Sequence, residues 1–146
     1  MSAVLYQPDS TLAKRLADVK AMAAYNQAIT QTCVAHFAEA VRPELLDVVV
    51  ALRPGRSRVW FIAPSRAAGD ADLAALGKKL ERLPPPPLKE GPVVFALLAS
   101  LGGAPREQPV AAQGYQPPMP AEWQRAQAES AEPLSMPDGL LAKVWP

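Results

Sequence analysis

The chain of 146 residues contains one cysteine, one histidine and no long hydrophobic run, and each shortage excludes a class of protein. Because Cys33 is alone, the chain cannot hold an internal disulfide framework or a zinc site built from cysteines. No segment is long and apolar enough to span a bilayer as a helix. Residues 1–20 lack the apolar core of a signal peptide, so the chain is expected to be cytoplasmic, or to have lost an export signal or anchor.

Charge of one sign and catalytic motifs are also missing. The chain has 15 Lys and Arg against 14 Asp and Glu, a formal net charge of +1, which points neither to nucleic acid nor to an anionic membrane. There is no G-x-S-x-G nucleophile elbow, no phosphate-binding glycine loop and no dinucleotide fingerprint. We therefore expect no catalytic residue, no metal site and no cofactor, and a chain that is not an enzyme.

The strongest pattern that is present predicts a β-hairpin over residues 45–63. Residues 45–52 and 58–63 alternate with the period of a strand and are rich in β-branched and aromatic residues. Between them, Pro54 pre-sets φ at the first turn position and Gly55 can supply a positive φ at the second. Both faces are fairly apolar, so the sheet is expected to be covered on one side and partly exposed on the other.

Helical periodicity appears on both sides of the hairpin. Apolar residues recur from Leu12 to Val41, which predicts one long helix, or two helices joined near Ala24, ended by Pro43. A further helix is predicted from Ala71 to Leu83, with Asp70 as its N-cap. The apolar face of that helix consists of four leucines: Leu73, Leu76, Leu80 and Leu83.

After a run of four prolines, Val93–Leu101 is apolar on both faces and suits a buried strand, with a short helix as the competing interpretation. The predicted fold class is α+β, an antiparallel three-stranded sheet (the hairpin plus this strand) packed on two helices. Whether this strand pairs with the first or the second strand of the hairpin stays open. Residues 1–103 would form the α+β domain, and residues 104–146 a Pro-rich C-terminal extension.

Two interpretations of the extension compete. Its prolines, glutamines and glutamates favour disorder, whereas its large apolar side chains favour an ordered segment that wraps the domain, which is the interpretation preferred here. One short helix is predicted at Ala121–Ala131, with Pro120 near its first turn. The large apolar residues of the extension are Tyr115, Met119, Trp123, Leu134, Met136, Leu140, Leu141 and Trp145.

The predicted partner-binding residues lie at the hairpin tip: Arg53, Arg56, Arg58 and Trp60. Arginines pair bidentately with carboxylates, so the cluster would suit an acidic partner. A solvated turn is the alternative. Trp60 would anchor a partner if it faced the open side of the sheet, and would belong to the core if it faced the first helix.

Two further clusters contain residue types that can carry chemistry. Cys33 and His36 share a helical face, but two ligands are too few for a metal site and no third residue is indicated to orient the histidine, so core packing is favoured. Asp70 and Asp72 could form a carboxylate pair, but acids at a helix start stabilise the helix dipole, so we interpret both as caps.

Residues 47–101 resemble the C-terminal domain of the TonB and TolA envelope proteins. The shared order is hairpin, helix with a leucine face, proline run, Gly-Pro turn and apolar strand. Asp72–Leu76 is similar to that family's helix start, and Leu83–Leu88 followed by Gly91–Phe95 is similar to its passage into the last strand. Arg42-Pro43 stands where the family usually has a tyrosine-proline pair, and the long tail is an addition. The resemblance implies a small periplasmic α+β domain that binds partners through a sheet edge, without catalysis.

Together these features predict a non-catalytic protein-interaction module of the bacterial cell envelope. It would be periplasmic, with the cytoplasm as second choice, and would bind another protein, with no nucleic acid and no stable membrane insertion. Binding would add a strand at the 93–101 or 45–52 edge, or use the arginine-rich tip. The alternative is an immunity protein that binds and inhibits a secreted toxin, and a third hypothesis is an enzyme that uses Cys33 and His36.

Overall fold

A four-stranded antiparallel sheet lies at the centre of the fold, with helices on both of its faces. The computed structural model describes residues 2–36, 44–62, 70–101, 119–135 and 137–146. In chain order the elements are β1 (Ser2–Leu5), α1 (Asp9–Arg15), α2 (Val19–His36), β2 (Glu44–Arg53), β3 (Arg56–Ile62), α3 (Asp70–Glu81), β4 (Val93–Leu101), α4 (Ala121–Glu129) and α5 (Asp138–Val144). Across the sheet the strands follow the order β1, β4, β2, β3.

The hairpin forms as its sequence predicts. β2 and β3 pair in register from Asp47 opposite Ile62 to Arg53 opposite Arg56, which leaves Pro54 and Gly55 as a two-residue turn. Gly55 has a φ of +77°, the left-handed value that glycine adopts without a side-chain penalty. This turn fixes which side chains face each side of the sheet.

β4 lies inside the sheet, paired with β2 along nine residues and with β1 on its other side. The open question of its hairpin partner is thereby answered in favour of the first hairpin strand. The α+β class is confirmed, but the finer prediction of three strands and two helices is wrong, because the described residues contain four strands and five helices. β1 has only four residues, too few for alternation to stand out beside a helix start.

Helices α1, α2 and α3 cover the first face of the sheet. α2 buries Tyr25, Ile29 and Cys33 against apolar residues of β2 and β4, and α3 adds Leu76 and Leu80. The prediction of one helix, or of a joint near Ala24, is wrong, since α1 ends at Arg15 and α2 begins at Val19. The cause is Asp18, whose Oδ1 accepts hydrogen bonds from the backbone N–H groups of Lys20 and Ala21 at 2.9 and 3.2 Å.

Helices α4 and α5 cover the second face, which was expected to be partly exposed. Trp123, Leu140 and Leu141 are fully buried there against alternate residues of β2 and β4. Each such side chain stabilises the packed state by about 1.5–3 kcal/mol relative to exposure, so the two helices are integral to the fold. The helix predicted at Ala121–Ala131 is present as α4, whereas α5 was not predicted.

Several predicted features lie outside the described residues: the helix end at Pro43, the boundary between residues 103 and 104, and the side chains of Asp70 and Asp72. Among the helices that are described, none has the length and hydropathy needed to cross a membrane.

Candidate interaction surface

The four predicted site residues project from one face of the hairpin, the face covered by α4 and α5. Arg53 continues the alternation of Val49 and Ala51, and Arg56 and Arg58 that of Trp60. Arg53 and Arg56 are the directly opposed pair that closes the hairpin. The tip therefore presents two guanidinium groups side by side, next to the end of α5.

The indole ring of Trp145, which follows α5, contacts the guanidinium groups of both arginines. The Cζ atoms of Arg53 and Arg56 each lie 4.8 Å from the centroid of the Trp145 ring, a cation–π geometry. The last turn of α5 positions the ring, since the Trp145 N–H donates to the Leu141 carbonyl at 2.8 Å. Arg56 also donates to the Pro146 carbonyl oxygen at 3.4 Å.

The charges of this pair are not balanced by side chains in the described part of the chain. The ion pairs found there join Arg15 to Asp138 and Arg58 to Glu122, and neither involves Arg53 or Arg56. Burial lowers the pKa of Arg53, and the neighbouring positive charge of Arg56 lowers it further. Two like charges thus lie together on one aromatic ring.

Arg58 and Trp60 have a different environment. Glu122 of α4 accepts a hydrogen bond from Trp60 Nε1 at 2.7 Å and lies 3.9 Å from Arg58. Trp60 is only 7% exposed and meets Trp123 edge-to-face, with ring centroids 5.1 Å apart. Trp60 therefore faces neither open solvent nor the first helix, and it cannot serve as the exposed anchor considered from the sequence.

The two edges of the sheet differ in protection. At the β3 edge, the outward N–H of Val59 donates to Glu81 Oε1 of α3 at 3.1 Å. α3 also packs tightly on this strand, because a Cβ atom added to Gly77 would lie 3.3 Å from the Phe61 ring. A side chain that occupies an edge donor is one way in which proteins block strand addition.

The β1 edge has no comparable cover among the described residues. The Tyr6 N–H donates to the Val94 carbonyl at 3.3 Å, so by strand alternation the N–H and C=O of Leu5 point away from β4. Within the described ranges no hydrogen bond reaches them from that side. The Leu5 side chain is 50% exposed.

This arrangement corrects the predicted binding edges. Strands 93–101 and 45–52 were expected to offer an edge, but β4 lies between β1 and β2, and β2 lies between β4 and β3. Each of these two strands is therefore paired on both sides and offers no open edge. A partner strand was expected to pair with the free edge of β4. In the structure β1, which was not predicted, pairs there instead.

A polar cluster ties α5 to the start of the chain. Arg15 forms a bidentate pair with Asp138, at 3.2 and 2.8 Å, and also donates to the Pro92 carbonyl. Gln7, which is 6% exposed, donates to Asp138 and Pro92 and accepts the Val94 N–H at 3.0 Å. These groups line a cleft of about 190 Å³, but they satisfy one another, so the cluster is a structural clasp.

Cys33 and His36 do not assemble into a reactive pair. Cys33 is fully buried, and burial raises the pKa of its thiol to about 11, which keeps it protonated at neutral pH. His36 Nδ1 lies 3.0 Å from Lys79 Nζ of α3. Among the described residues, no group of three or more His, Cys, Asp and Glu is placed to hold a metal ion.

Trp145, Glu122 and the β1 edge were missed by the sequence analysis. In the sequence, Trp145 is only one of several apolar residues of the extension, and no local pattern connects it with a turn 90 residues earlier. No protein-family model, no curated protein and no solved structure matches the chain.

Proposed function

We propose that the chain is a non-catalytic protein-interaction module that binds its partner by strand addition at the open edge of β1. The observation that carries this proposal is the outward N–H and C=O of Leu5, beside an exposed leucine side chain. Such groups form main-chain hydrogen bonds with an extended segment, and flanking side chains supply specificity.

The difference between the two sheet edges supports the choice of β1. The β3 edge has an acidic side chain on one of its donors and a helix packed beside it. β1 is short, but it contains no charged residue and no proline, two of the features that commonly block pairing at an edge. Strand addition is therefore directed to one side of the sheet.

The short length of β1 limits how strongly a partner strand can bind to its edge. Four residues of strand span about 13 Å, and Ala3 and Leu5 offer about four main-chain hydrogen bonds. At about 0.5–1.5 kcal/mol each, these bonds contribute only a few kcal/mol. A short edge of this kind suits transient binding of an extended segment better than an obligate dimer, which buries far more surface.

The cellular setting follows the resemblance. The order on which the TonB and TolA resemblance rests, hairpin, helix and apolar strand, corresponds to β2, β3, α3 and β4. We place the module in the bacterial cell envelope, in the periplasm, with the cytoplasm as second choice. The alternative, an immunity protein, would use the same surface on a secreted toxin, and the identity of the partner separates the two.

The test has two steps. The tagged chain is used to capture proteins from extracts of the native host, and the stoichiometric partner is then purified and titrated against two variants. Leu5→Pro removes an N–H that does not bond to β4, and proline is tolerated at such edge positions. Leu5→Ala is the matched control, because it removes the side chain but keeps the N–H.

Strand addition predicts that L5P binds the partner at least tenfold more weakly than L5A, because the bound strand is left with an unsatisfied acceptor. An envelope component as partner supports the adaptor and a toxin supports the immunity protein. Equal affinities of L5P and L5A, with wild-type spectra for β2 to β4, would overturn strand addition. A preparation without any partner would contradict the interaction module itself.

A further inference from the structure

We propose that Arg53, Arg56 and Trp145 form a second binding site, which takes an acidic peptide segment of the partner protein. The inference rests on the proposed function, since it assigns a chemistry to part of that partner. Of the four residues predicted at the hairpin tip, the site keeps Arg53 and Arg56. It adds Trp145, which no sequence pattern connects with them.

The turn under the two arginines is closely packed. They close a two-residue turn whose glycine has a φ of +77°. The loop before β4 packs against the same turn, since a Cβ atom on Gly91 would lie 3.1 Å from the Arg53 Cα. The site is therefore held in place before a ligand arrives, which reduces the ordering cost of binding.

The two guanidinium groups are oriented by Trp145, and no carboxylate side chain among the described residues pairs with either of them. The Cζ atoms of both groups lie 4.8 Å from the centroid of the Trp145 ring, and each guanidinium has five N–H donors, of which one on Arg56 is used by Pro146. Arg15 and Arg58 each have a carboxylate partner, whereas no described side chain supplies one to Arg53 or Arg56. Planar guanidinium edges match carboxylates in a bidentate geometry, so a segment with adjacent Asp or Glu fits.

The same end of the sheet carries both proposed surfaces. Leu52, next to Arg53, is opposite Val93, and Leu5 is opposite Phe95, two residues further along β4. A partner segment seated on β1 thus has an anion-binding site within reach at the hairpin tip. The second contact compensates for the few hydrogen bonds that the short edge provides.

A protein carboxylate is favoured over a nucleic acid or a free phosphate. Nucleic acids are bound by extended basic surfaces that contact many phosphates, and the net charge of +1 provides no such surface. The site holds two guanidinium groups beside an indole ring, which accommodates the side chains of an acidic peptide as well as its charge.

The test uses an acetylated hexaglutamate peptide as the probe, titrated into the full-length chain and followed by the indole N–H resonance of Trp145. The two other tryptophans are buried and serve as internal references. R53Q/R56Q removes the site. R82Q/R125Q removes the same number of positive charges from residues exposed elsewhere and is the matched control.

The peptide is expected to shift the Trp145 resonance, with an affinity at least tenfold lower for R53Q/R56Q and within twofold of wild type for R82Q/R125Q. Equal weakening in both variants, or no shift at millimolar peptide, would overturn the site. Tighter binding of inorganic phosphate or of a single-stranded oligonucleotide would also contradict an acidic peptide as ligand.

The two proposals fail separately. Hexaglutamate binding that survives Leu5→Pro, in a chain that captures no partner, would remove the proposed function and leave the anion site. Partner binding that depends on Leu5 but not on Arg53 and Arg56 would remove the anion site alone.

Discussion

At the residue scale, Asp138 connects the two ends of the chain. Its carboxylate accepts hydrogen bonds from Arg15 and Gln7, and the hydrogen bond from Arg15 is the main cause of its lowered pKa. The Asp138 side chain is 43% exposed, so solvent screens part of the interaction. The contribution of the clasp to stability is therefore modest and depends on pH.

Asp138→Asn should lower the free energy of unfolding by about 1–2 kcal/mol at pH 7. Because the folded state lowers the pKa of Asp138, its contribution is fully present above the unfolded pKa of about 3.9 and is lost as the pH falls through the folded pKa. Urea unfolding at pH 7 and pH 3 measures this, with Glu129→Gln as an exposed control. A difference from wild type that is as large at pH 3 as at pH 7 would contradict the clasp.

Cys33 should be inert to thiol reagents in the folded protein. With a thiol pKa of about 11 and no exposed surface, its thiolate fraction at pH 8 is on the order of 10⁻³. A disulfide exchange reagent should react at least 100-fold more slowly with native protein than with protein in denaturant. Rapid native reaction would return the hypothesis of an enzyme that uses Cys33 and His36 to consideration.

The arginine cluster could be predicted from the sequence because its members are neighbours in a hairpin, and the hairpin register follows from local alternation and turn chemistry. The residues that surround the cluster could not be predicted from the sequence. Glu122 lies 62 residues from Trp60, and Trp145 lies 92 residues from Arg53. Contacts between residues so far apart in the chain depend on how α4 and α5 pack on the sheet. A periodic sequence pattern contains no information about this packing.

At the scale of elements, predictability followed length and periodicity. β2, β3, α3 and β4 have at least seven residues with regular patterns, and their observed bounds agree with the predicted ones within a few residues. β1 and α5, with four and seven residues, were missed. The position of the helix break depends on Asp18, which caps α2, and hydrophobic periodicity does not show this.

The second face of the sheet provides a test of α4. Trp123→Ala removes a fully buried indole between Trp60 and Tyr6, and should cost about 3–5 kcal/mol of unfolding free energy. Trp145→Ala removes a half-buried ring and cation–π contacts, which should cost about 1 kcal/mol. Chemical denaturation measures both. A loss of only about 1 kcal/mol or less for Trp123→Ala would contradict an integral role of α4 in the core.

At the scale of the whole molecule, the sheet is covered on both faces, and the β3 edge has a donor occupied by Glu81, which is why strand addition is proposed at β1. The sequence predicts binding at an edge formed by β4 or β2, but both strands lie inside the sheet. Which strand lies at an edge depends on the strand order. The four-residue β1, which is too short to show a periodic pattern, pairs with β4 and so becomes the edge strand.

The most direct test of strand addition is amide hydrogen exchange of the chain, alone and with the captured partner. The Leu5 amide should exchange rapidly in the free chain and become protected at least tenfold on binding, because a partner carbonyl then accepts its proton. The Val59 amide, already bonded to Glu81, should not change. Protection at Val59 without protection at Leu5 would contradict the account.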